Sequence, residues 1–256
     1  MLTHVYLSAH LDDAVLSCGG MIHRQAQAGE RVVVATLCAG DLPPGPLSEF
    51  AQSLHQRWGL GQGEVIASRR AEDLKALDAL GAEAVHLHVP DCIYRTDPAG
   101  RHLYASERAI FGELHPAEYA LARRLAEKIS GLMRGVGRCH LYAPLGLGHH
   151  VDHQLTRRAV ETVGNVYAYF EDYPYAAREA GSEFELLTRT PDGRISSPEV
   201  VPLAEGDLSA KTTAIAQYVS QISSFWANLA EMEASVRQYA ERAGDGRPAE
   251  RLWRLR

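Results

Sequence analysis

The sequence lacks any long apolar run and any leader-like segment. Within its 256 residues, no stretch reaches the roughly 18 apolar residues that a membrane span needs. No basic segment followed by an apolar one marks a secretory signal. These absences predict a cytoplasmic protein without a transmembrane segment.

An excess of basic residues is also missing. Lys and Arg together number 26, Asp and Glu number 32, and the formal net charge is −6 at pH 7. Because binding to a phosphate backbone requires a basic face, this balance argues against nucleic acid as a partner. A small-molecule substrate is the expected partner, and a homo-oligomer remains open.

Closely spaced cysteines are absent as well. The four cysteines are Cys18, Cys38, Cys92 and Cys139, and no two of them form a C-x-x-C motif. This spacing argues against a disulfide framework and against a metal site built from thiolates. Since all four lie in apolar segments, we expect reduced thiols that pack in the core.

What is present is an alternation of strand-like and helix-like segments. The predicted strands occupy residues 3–9, 31–38, 84–89, 139–143 and a segment beyond Asn165. The predicted helices between them occupy residues 14–28, 64–80 and 114–133. Repeated β-α units with right-handed crossovers predict an α/β fold with a Rossmann-like, doubly wound, mainly parallel sheet and helices on both faces.

No composition break marks a second domain, so we predict one domain over residues 1–256 with its core at about 3–175. Residues 176–256 then complete that domain with a hairpin near 183–203 and helices from about Leu208 to Ala243. The last dozen residues, rich in Arg and Gly, are expected to form a mobile tail. Two long connections, 39–63 and 92–113, exceed the usual length of a loop without function and are predicted to wall the substrate site.

Two polar clusters follow predicted strand ends. The first strand runs into His10, Asp12 and Asp13, and the fourth leads to the segment His150-Val-Asp-His153. Ligand sites of open α/β sheets form at the carboxyl ends of strands, so neighbouring strands would bring these clusters together. Two histidines and one carboxylate, with a position left for water, satisfy the requirements of a catalytic zinc.

Each cluster has a simpler interpretation when taken alone. Asp residues commonly cap helix starts, and His-x-x-His at a helix start is often a solvated polar turn. The joint occurrence of both clusters after strand ends favours a metal site, because surface chemistry gives no reason for that coincidence.

These motifs resemble those of the LmbE-like, or PIG-L, family of zinc-dependent N-acetylglucosaminyl deacetylases. The family's Ala-His-Pro-Asp-Asp-Glu motif corresponds to residues 9–14, and its His-x-Asp-His motif corresponds to residues 150–153. The likeness covers residues 5–175 and implies the LmbE-like form of the fold. Leu11 and Ala14 stand where the family usually has Pro and Glu, positions that are neither metal ligands nor the base.

The resemblance implies a division of roles among the motif residues. His10, Asp13 and His153 would bind the metal, which is Zn²⁺ or another divalent ion such as Fe²⁺. Asp12 would act as general base toward the attacking water. One carboxylate thus neutralises the dication while its neighbour stays free to accept a proton.

The remaining site residues are also carried over from the resemblance. A protonated His150 would stabilise the oxyanion, with Asp152 orienting its ring; a helix-start carboxylate is the alternative for Asp152. Arg69 and Asp91 would contact substrate hydroxyls, against the alternative of an exposed helix-end Arg and a turn Asp. Whether Asp12 or His150 protonates the leaving amine stays open.

The predicted function is therefore removal of the N-acetyl group from an N-acetylglucosamine-type amino sugar or its conjugate by metal-activated water. One alternative is a metal-dependent amidase that acts on a different N-acyl small molecule. Another is a catalytically silent Rossmann-like binding protein. A dinucleotide-binding role is disfavoured because no G-x-G-x-x-G motif follows the first strand.

Overall fold

A computed structural model describes residues 2–178, 182–188 and 196–254. Across these ranges one sheet has the strand order β3-β2-β1-β4-β5-β7-β6. Its strands are β1 (Thr3–Ser8), β2 (Arg31–Thr36), β3 (Glu83–His86), β4 (Cys139–Pro144), β5 (Val166–Phe170), β6 (Pro198–Pro202) and β7 (Ala249–Trp253). The α-helices are α1 (Asp13–Gln27), α2 (Glu49–Trp58), α3 (Val65–Leu80), α4 (Glu107–Ile110), α5 (Tyr119–Val136), α6 (Val151–Val163), α7 (Tyr175–Arg178), α8 (Ser182–Leu187), α9 (Glu205–Ile215), α10 (Val219–Phe225) and α11 (Leu229–Ala243).

The first five strands are parallel and form the Rossmann-like half of the sheet. β1 is buried along its whole length and β2 from Val32 onward, as expected of central strands with helices on both faces. The register pairs Thr3 with Arg31 on one side and with Cys139 on the other. The predicted α/β fold with a doubly wound, mainly parallel sheet is confirmed.

Alternate side chains of the central strands pack into two separate apolar cores, one on each face of the sheet. Val5 and Leu7 of β1 pack into the core that includes Leu125 of α5 and Leu155 of α6. Tyr6, between them in sequence, packs on the opposite face with residues of α1, α3 and α9. The period of two along a strand thus divides the apolar residues between the two helical layers.

The C-terminal part departs from the prediction. Within the expected hairpin near 183–203, the structure has α8 and then β6, while residues 189–195 lie outside the described ranges. The expected mobile tail is wrong, because β7 inserts antiparallel between β5 and β6. The adjacent charged residues Glu250 and Arg251 made this strand difficult to predict from the sequence. Inside the protein, Glu250 forms an ion pair with Lys211 at 2.8 Å.

The two long connections contain short helices. The first carries α2, and the second carries a 3-10 helix at Cys92–Tyr94 followed by α4. The helix predicted over 114–133 begins later than expected, since a 3-10 turn at Pro116–Glu118 precedes α5. None of the described helices combines the length and the hydropathy that crossing a membrane requires.

Candidate metal centre and active site

The carboxyl ends of β1 and β4 lie side by side, and each continues into a cluster of polar residues. β1 leads through His10 into α1, which begins at Asp13, and β4 leads into α6, which begins after His150. The ring centroids of His10 and His150 are 4.7 Å apart, and that of His153 lies 5.5 Å from both. The structure therefore brings the two motifs into one buried site.

One oxygen of Asp13 lies at the centre of this site. Asp13 Oδ2 is 3.2 Å from His10 Nδ1 and 3.3 Å from His153 Nε2, and it accepts the backbone N–H of His10 at 2.6 Å. Ligands bonded to a tetrahedral zinc at about 2.0–2.1 Å lie roughly 3.3 Å from one another. Both distances from Asp13 Oδ2 match the separation of two ligands that share one zinc ion.

The tautomers of the two rings can be read from their outer nitrogens. His153 Nδ1 lies 2.6 Å from Asp172 Oδ1, and His10 Nε2 lies 3.0 Å from Asp152 Oδ2. A ring nitrogen that faces a carboxylate carries a proton, so these outer contacts keep the outer nitrogens protonated and assign metal binding to the inner nitrogens. The inner nitrogens of both rings face the same oxygen of Asp13, so a metal ion that displaces their protons would meet two imidazole nitrogens and one carboxylate oxygen.

Burial and charge agree with this reading. His153 Nε2 is fully buried and has no hydrogen-bond partner within the described part of the chain. Burial by itself lowers the pKa of His153, but Asp13 and then Asp172 overcome this effect and raise that pKa to about 10. The surroundings thus stabilise positive charge at this point, and the residues present fit a zinc ion.

Asp12 lies beside this centre without joining the three atoms. It occupies the N-cap position of α1, yet its side chain makes no capping hydrogen bond, so the capping interpretation does not describe it. Burial, followed by the neighbouring Asp13, raises the pKa of Asp12 to about 7. Its carboxyl group lines the open cavity and can accept a proton near neutral pH.

His150 is held in a neutral form. Its Nδ1 accepts the backbone N–H of Asp152 at 3.2 Å, which leaves the proton on Nε2. Burial, and then the neighbouring His10, hold the pKa of His150 well below its ordinary value. The expected protonated ring is therefore not the form that this environment favours, but the neutral ring retains one N–H to donate.

Asp152 contacts a different ring from the one expected. Its carboxylate, fully buried, accepts hydrogen bonds from Arg95 Nη1 at 2.5 Å and from the Cys92 N–H at 3.0 Å, and it faces His10 Nε2. Among the described residues, the hydrogen bond between Asp152 and the expected His150 ring comes from the Asp152 backbone N–H and not from this carboxylate. Asp152 instead orients His10, and only its backbone N–H holds His150.

Arg69 and Asp91 lie at the edge of the same cavity. Both are more than nine-tenths buried, so the alternative of an exposed helix-end Arg69 is wrong. The Arg69 guanidinium lies 4.9 Å from the ring centroid of Trp58, and its Nη1 is 3.7 Å from Asp91 Oδ2. Asp91 also accepts the Ile93 N–H at 3.2 Å, so the turn role expected as its alternative is present too.

Asp172 and Arg95 contact the motif side chains and were not predicted. Asp172 follows β5 at the same edge of the sheet, where the strand-end rule could have found it. Besides facing His153, it accepts the backbone N–H groups of Gly146 and Leu147 at 2.7 and 2.9 Å. Arg95 lies in a long connection, and no sequence pattern distinguishes it.

The cavity above the site has a volume of about 250 Å³. Both long connections contribute to it, as predicted: α2 supplies one side and the segment around α4 supplies another, while α10 closes a third. The apolar side chains of this wall are Phe50, Leu54, Trp58, Ile93, Ile110, Phe111 and Phe225. The rim around the polar centre thus combines these apolar side chains with the charged Arg57, Glu107 and Arg178.

Comparisons with known proteins agree with this geometry. The PIG-L family model, described as GlcNAc-PI de-N-acetylase, matches residues 5–163. A 2'-N-acetylparomamine deacetylase from Streptomyces fradiae is 30% identical over 210 residues, which span 79% of this chain and 66% of that protein. The chain therefore matches just under two thirds of the length of this relative.

Solved structures cover more of the chain. The zinc-inhibited form of teicoplanin deacetylase Orf2 superimposes with a TM-score of 0.85 at 30% identity, over 98% of this chain and 97% of that one. The A40926 pseudoaglycone deacetylase Dbv21 superimposes with a TM-score of 0.78 at 30% identity, over 97% and 95% of the two chains. Both likenesses extend through the C-terminal strands and helices.

Proposed function

Because the chain belongs to the PIG-L family, whose model is that of a GlcNAc-PI de-N-acetylase, we propose that it is a zinc-dependent N-deacetylase of amino sugars. It hydrolyses the acetamide of an N-acetylglucosamine-type sugar or its conjugate. The observation that carries this proposal is the convergence of His10, Asp13 and His153 beside the free carboxyl group of Asp12. The deacetylase activities named for the relatives support the same reaction.

His10, Asp13 and His153 are the residues that would hold the metal. When bound, the ion supplies Lewis acidity and lowers the pKa of water at the site. Two imidazoles and one carboxylate leave a coordination position open, as catalytic zinc sites do. Fe²⁺ is the second ion to test, since the teicoplanin relative has a zinc-inhibited form.

Asp12 takes the proton of the attacking water. Its pKa of about 7 allows the carboxylate to exist at neutral pH and to bind the proton once water attacks the amide carbon. The same carboxylic acid lies within the cavity that holds the departing amine. We assign proton return to Asp12 and not to His150, because a neutral His150 that keeps its single N–H has no proton to spare.

His150 stabilises the tetrahedral oxyanion. Its Nδ1 is occupied by the Asp152 N–H, so Nε2 is the nitrogen that donates. A preorganised donor in a water-poor site favours the transition state over the planar amide. Removing it should lower kcat by about 10²–10³-fold, the usual cost of losing one oxyanion donor.

Arg69 and Asp91 bind the hydroxyl groups of the sugar in this proposal. The Arg69 Nε is buried and has no hydrogen-bond partner among the described residues, so a substrate oxygen would satisfy it. The apolar rim of Phe50, Leu54 and Phe111 then lies beyond the sugar. A conjugate with a partly apolar group fits this rim better than the free monosaccharide.

The test is acetate release by the metal-loaded protein. The substrates are N-acetylglucosamine, its alkyl and aryl glycosides, its inositol-linked form and an N-acetylated aminoglycoside, each with Zn²⁺ and with Fe²⁺. We expect turnover of amino-sugar substrates, with kcat/KM higher for the glycosides than for the monosaccharide. Hydrolysis of simple N-acyl amino acids instead would favour the alternative amidase, and a metal-loaded protein inert toward every compound would favour the silent binding protein.

A further inference from the structure

A row of buried charged side chains leads away from His10. Asp152 Oδ2 faces His10 Nε2 at 3.0 Å, and Asp152 Oδ1 accepts from Arg95 Nη1 at 2.5 Å. On its other edge, Arg95 Nη2 donates to Glu118 Oε2 at 3.1 Å, and the hydroxyl of Tyr104 donates to the same oxygen at 2.6 Å. The row thus connects a predicted metal ligand to the start of α5.

Asp152 depends on Arg95 for its charge balance. The Asp152 side chain has no exposed surface, and the side chain of Arg95 is 7% exposed. A carboxylate withdrawn from water in this way is strongly unfavourable unless a cation pairs with it. Within the described part of the chain, Arg95 is the only Lys or Arg that forms an ion pair with Asp152.

The geometry divides the two oxygens of Asp152 between two partners. Arg95 takes Oδ1, which leaves Oδ2 for the N–H of His10 and for the backbone N–H of Cys92. With its orientation fixed on both sides, the carboxylate holds the His10 ring with Nε2 as donor and with Nδ1 toward Asp13 Oδ2. Such outer partners set the orientation and basicity of a metal-binding imidazole.

We propose that Arg95 is a positioning residue for the metal centre: it acts through Asp152 to fix the tautomer and orientation of His10, and thereby sets the affinity for the metal ion. The inference rests on the proposed function in one respect, namely that His10 is a metal ligand. Arg95 itself touches neither the cavity nor the three atoms that would hold the ion.

A purely structural role makes a different prediction. Arg95 Nη1 also donates to the carbonyl of Pro90 at 3.1 Å, so the guanidinium cross-links the second long connection. If cross-linking were its whole role, a variant would unfold more easily while its folded form bound metal as the parent does. Metal affinity measured below the unfolding temperature therefore separates the two roles.

The first experiment compares zinc affinity of the parent, Arg95→Lys and Arg95→Met by competition with a chromophoric chelator. We expect Arg95→Met to bind zinc about 10–100-fold more weakly, the usual effect of losing an outer partner of a ligand. Arg95→Lys should show a smaller loss, because Lys keeps the charge but lacks the fork that reaches Asp152 and Glu118 together. If Arg95→Met does not fold, Glu118→Gln replaces it, with a smaller loss expected.

Lys211→Met is the matched control. It removes the cation of another buried ion pair, with Glu250 at 2.8 Å and both side chains less than 5% exposed. We expect this variant to lose thermal stability while its zinc affinity remains that of the parent. An equal loss of zinc affinity in Lys211→Met and Arg95→Met would assign the effect to general destabilisation and overturn the proposal.

The second experiment is a double-mutant cycle with Asp152→Asn. If Arg95 acts through Asp152, adding Arg95→Met to Asp152→Asn should cause almost no further loss of zinc affinity. A change within about twofold lies within the usual scatter of such cycles. Parent-like zinc binding by Arg95→Met, or an undiminished effect of Arg95→Met in the Asp152→Asn background, would overturn the inference. A parent protein that binds no divalent metal would instead overturn the proposed function on which it rests.

Discussion

Asp12 and Asp13 are adjacent in sequence but have opposite surroundings. Asp13 Oδ2 faces two imidazole nitrogens and accepts a backbone N–H, and the positive charge of His153 and then of His10 offsets burial and holds the pKa of Asp13 well below its ordinary value. Asp12 forms no ion pair among the described residues, and burial, followed by Asp13, raises its pKa to about 7 against the opposing charges of Arg69 and His10. One aspartate is therefore suited to hold a cation and the other to exchange a proton.

Asp12→Asn tests this division of labour. The substitution keeps the shape of the side chain but removes the proton acceptor, so we expect kcat to fall by about 10²–10⁴-fold while zinc stoichiometry remains that of the parent. Acetate release under saturating metal and elemental analysis of the same sample measure the two quantities. Near-parental kcat would show that another group is the base.

At the level of single residues, the sequence allowed much of the site to be anticipated. His10, Asp13 and His153 converge because β1 and β4 are neighbouring parallel strands. The strand pattern placed both motifs at strand ends, and the family resemblance indicated which residues bind the metal. The contacts of Asp152 and Arg95 depend instead on how a long connection folds over the site. Sequence spacing carries no information on that packing.

At the level of elements, the C-terminal strand β7 lies inside the sheet, between β5 and β6. It pairs Leu252 with Phe170 of β5 and with Glu199 of β6, so it joins the parallel half of the sheet to its last strand. Only five residues form β7, and two adjacent charged residues among them interrupt the apolar–polar alternation by which a half-buried strand is predicted. This is why the sequence predicted a tail where the structure has an internal strand.

Leu252→Ala tests whether this strand is part of the folded core. Leu252 is 2% exposed, and we expect its truncation to reduce the free energy of unfolding by about 2–5 kcal/mol, as for other buried leucines. Denaturant unfolding followed by circular dichroism provides the measurement. Leu186→Ala, at a position that is 69% exposed, is the control and should change the free energy of unfolding by less than about 0.5 kcal/mol. If Leu252→Ala were as stable as Leu186→Ala, the C-terminal segment would be a mobile tail and not a core strand.

At the level of the whole molecule, the metal centre connects segments that are far apart in sequence. His10 and Asp13 follow β1, His153 lies in α6, and Asp172 follows β5. A divalent cation at their meeting point would bind Asp13 and both imidazoles at once. Metal binding and folding should therefore be coupled.

The coupling predicts a zinc-dependent increase in thermal stability. At a free zinc concentration 100 times the Kd, the folded state should gain about 2.7 kcal/mol, provided that the unfolded chain does not bind the ion. Thermal unfolding after chelator treatment and after stoichiometric reloading measures this gain. His153→Ala is the control, and its thermal unfolding midpoint should not change when zinc is added. An unchanged midpoint in the parent protein would mean that the ion does not bind the folded site.

X-ray absorption spectroscopy of the zinc-loaded protein tests the central claim most directly. The account predicts two imidazole nitrogens at about 2.0–2.1 Å and oxygen ligands at about 2.0–2.2 Å, with one imidazole lost in His153→Ala. Cys92, His150 and Asp152 offer a competing group of donor atoms within 4.8 Å of one another. A sulfur ligand at about 2.3 Å would place the ion there and contradict the account.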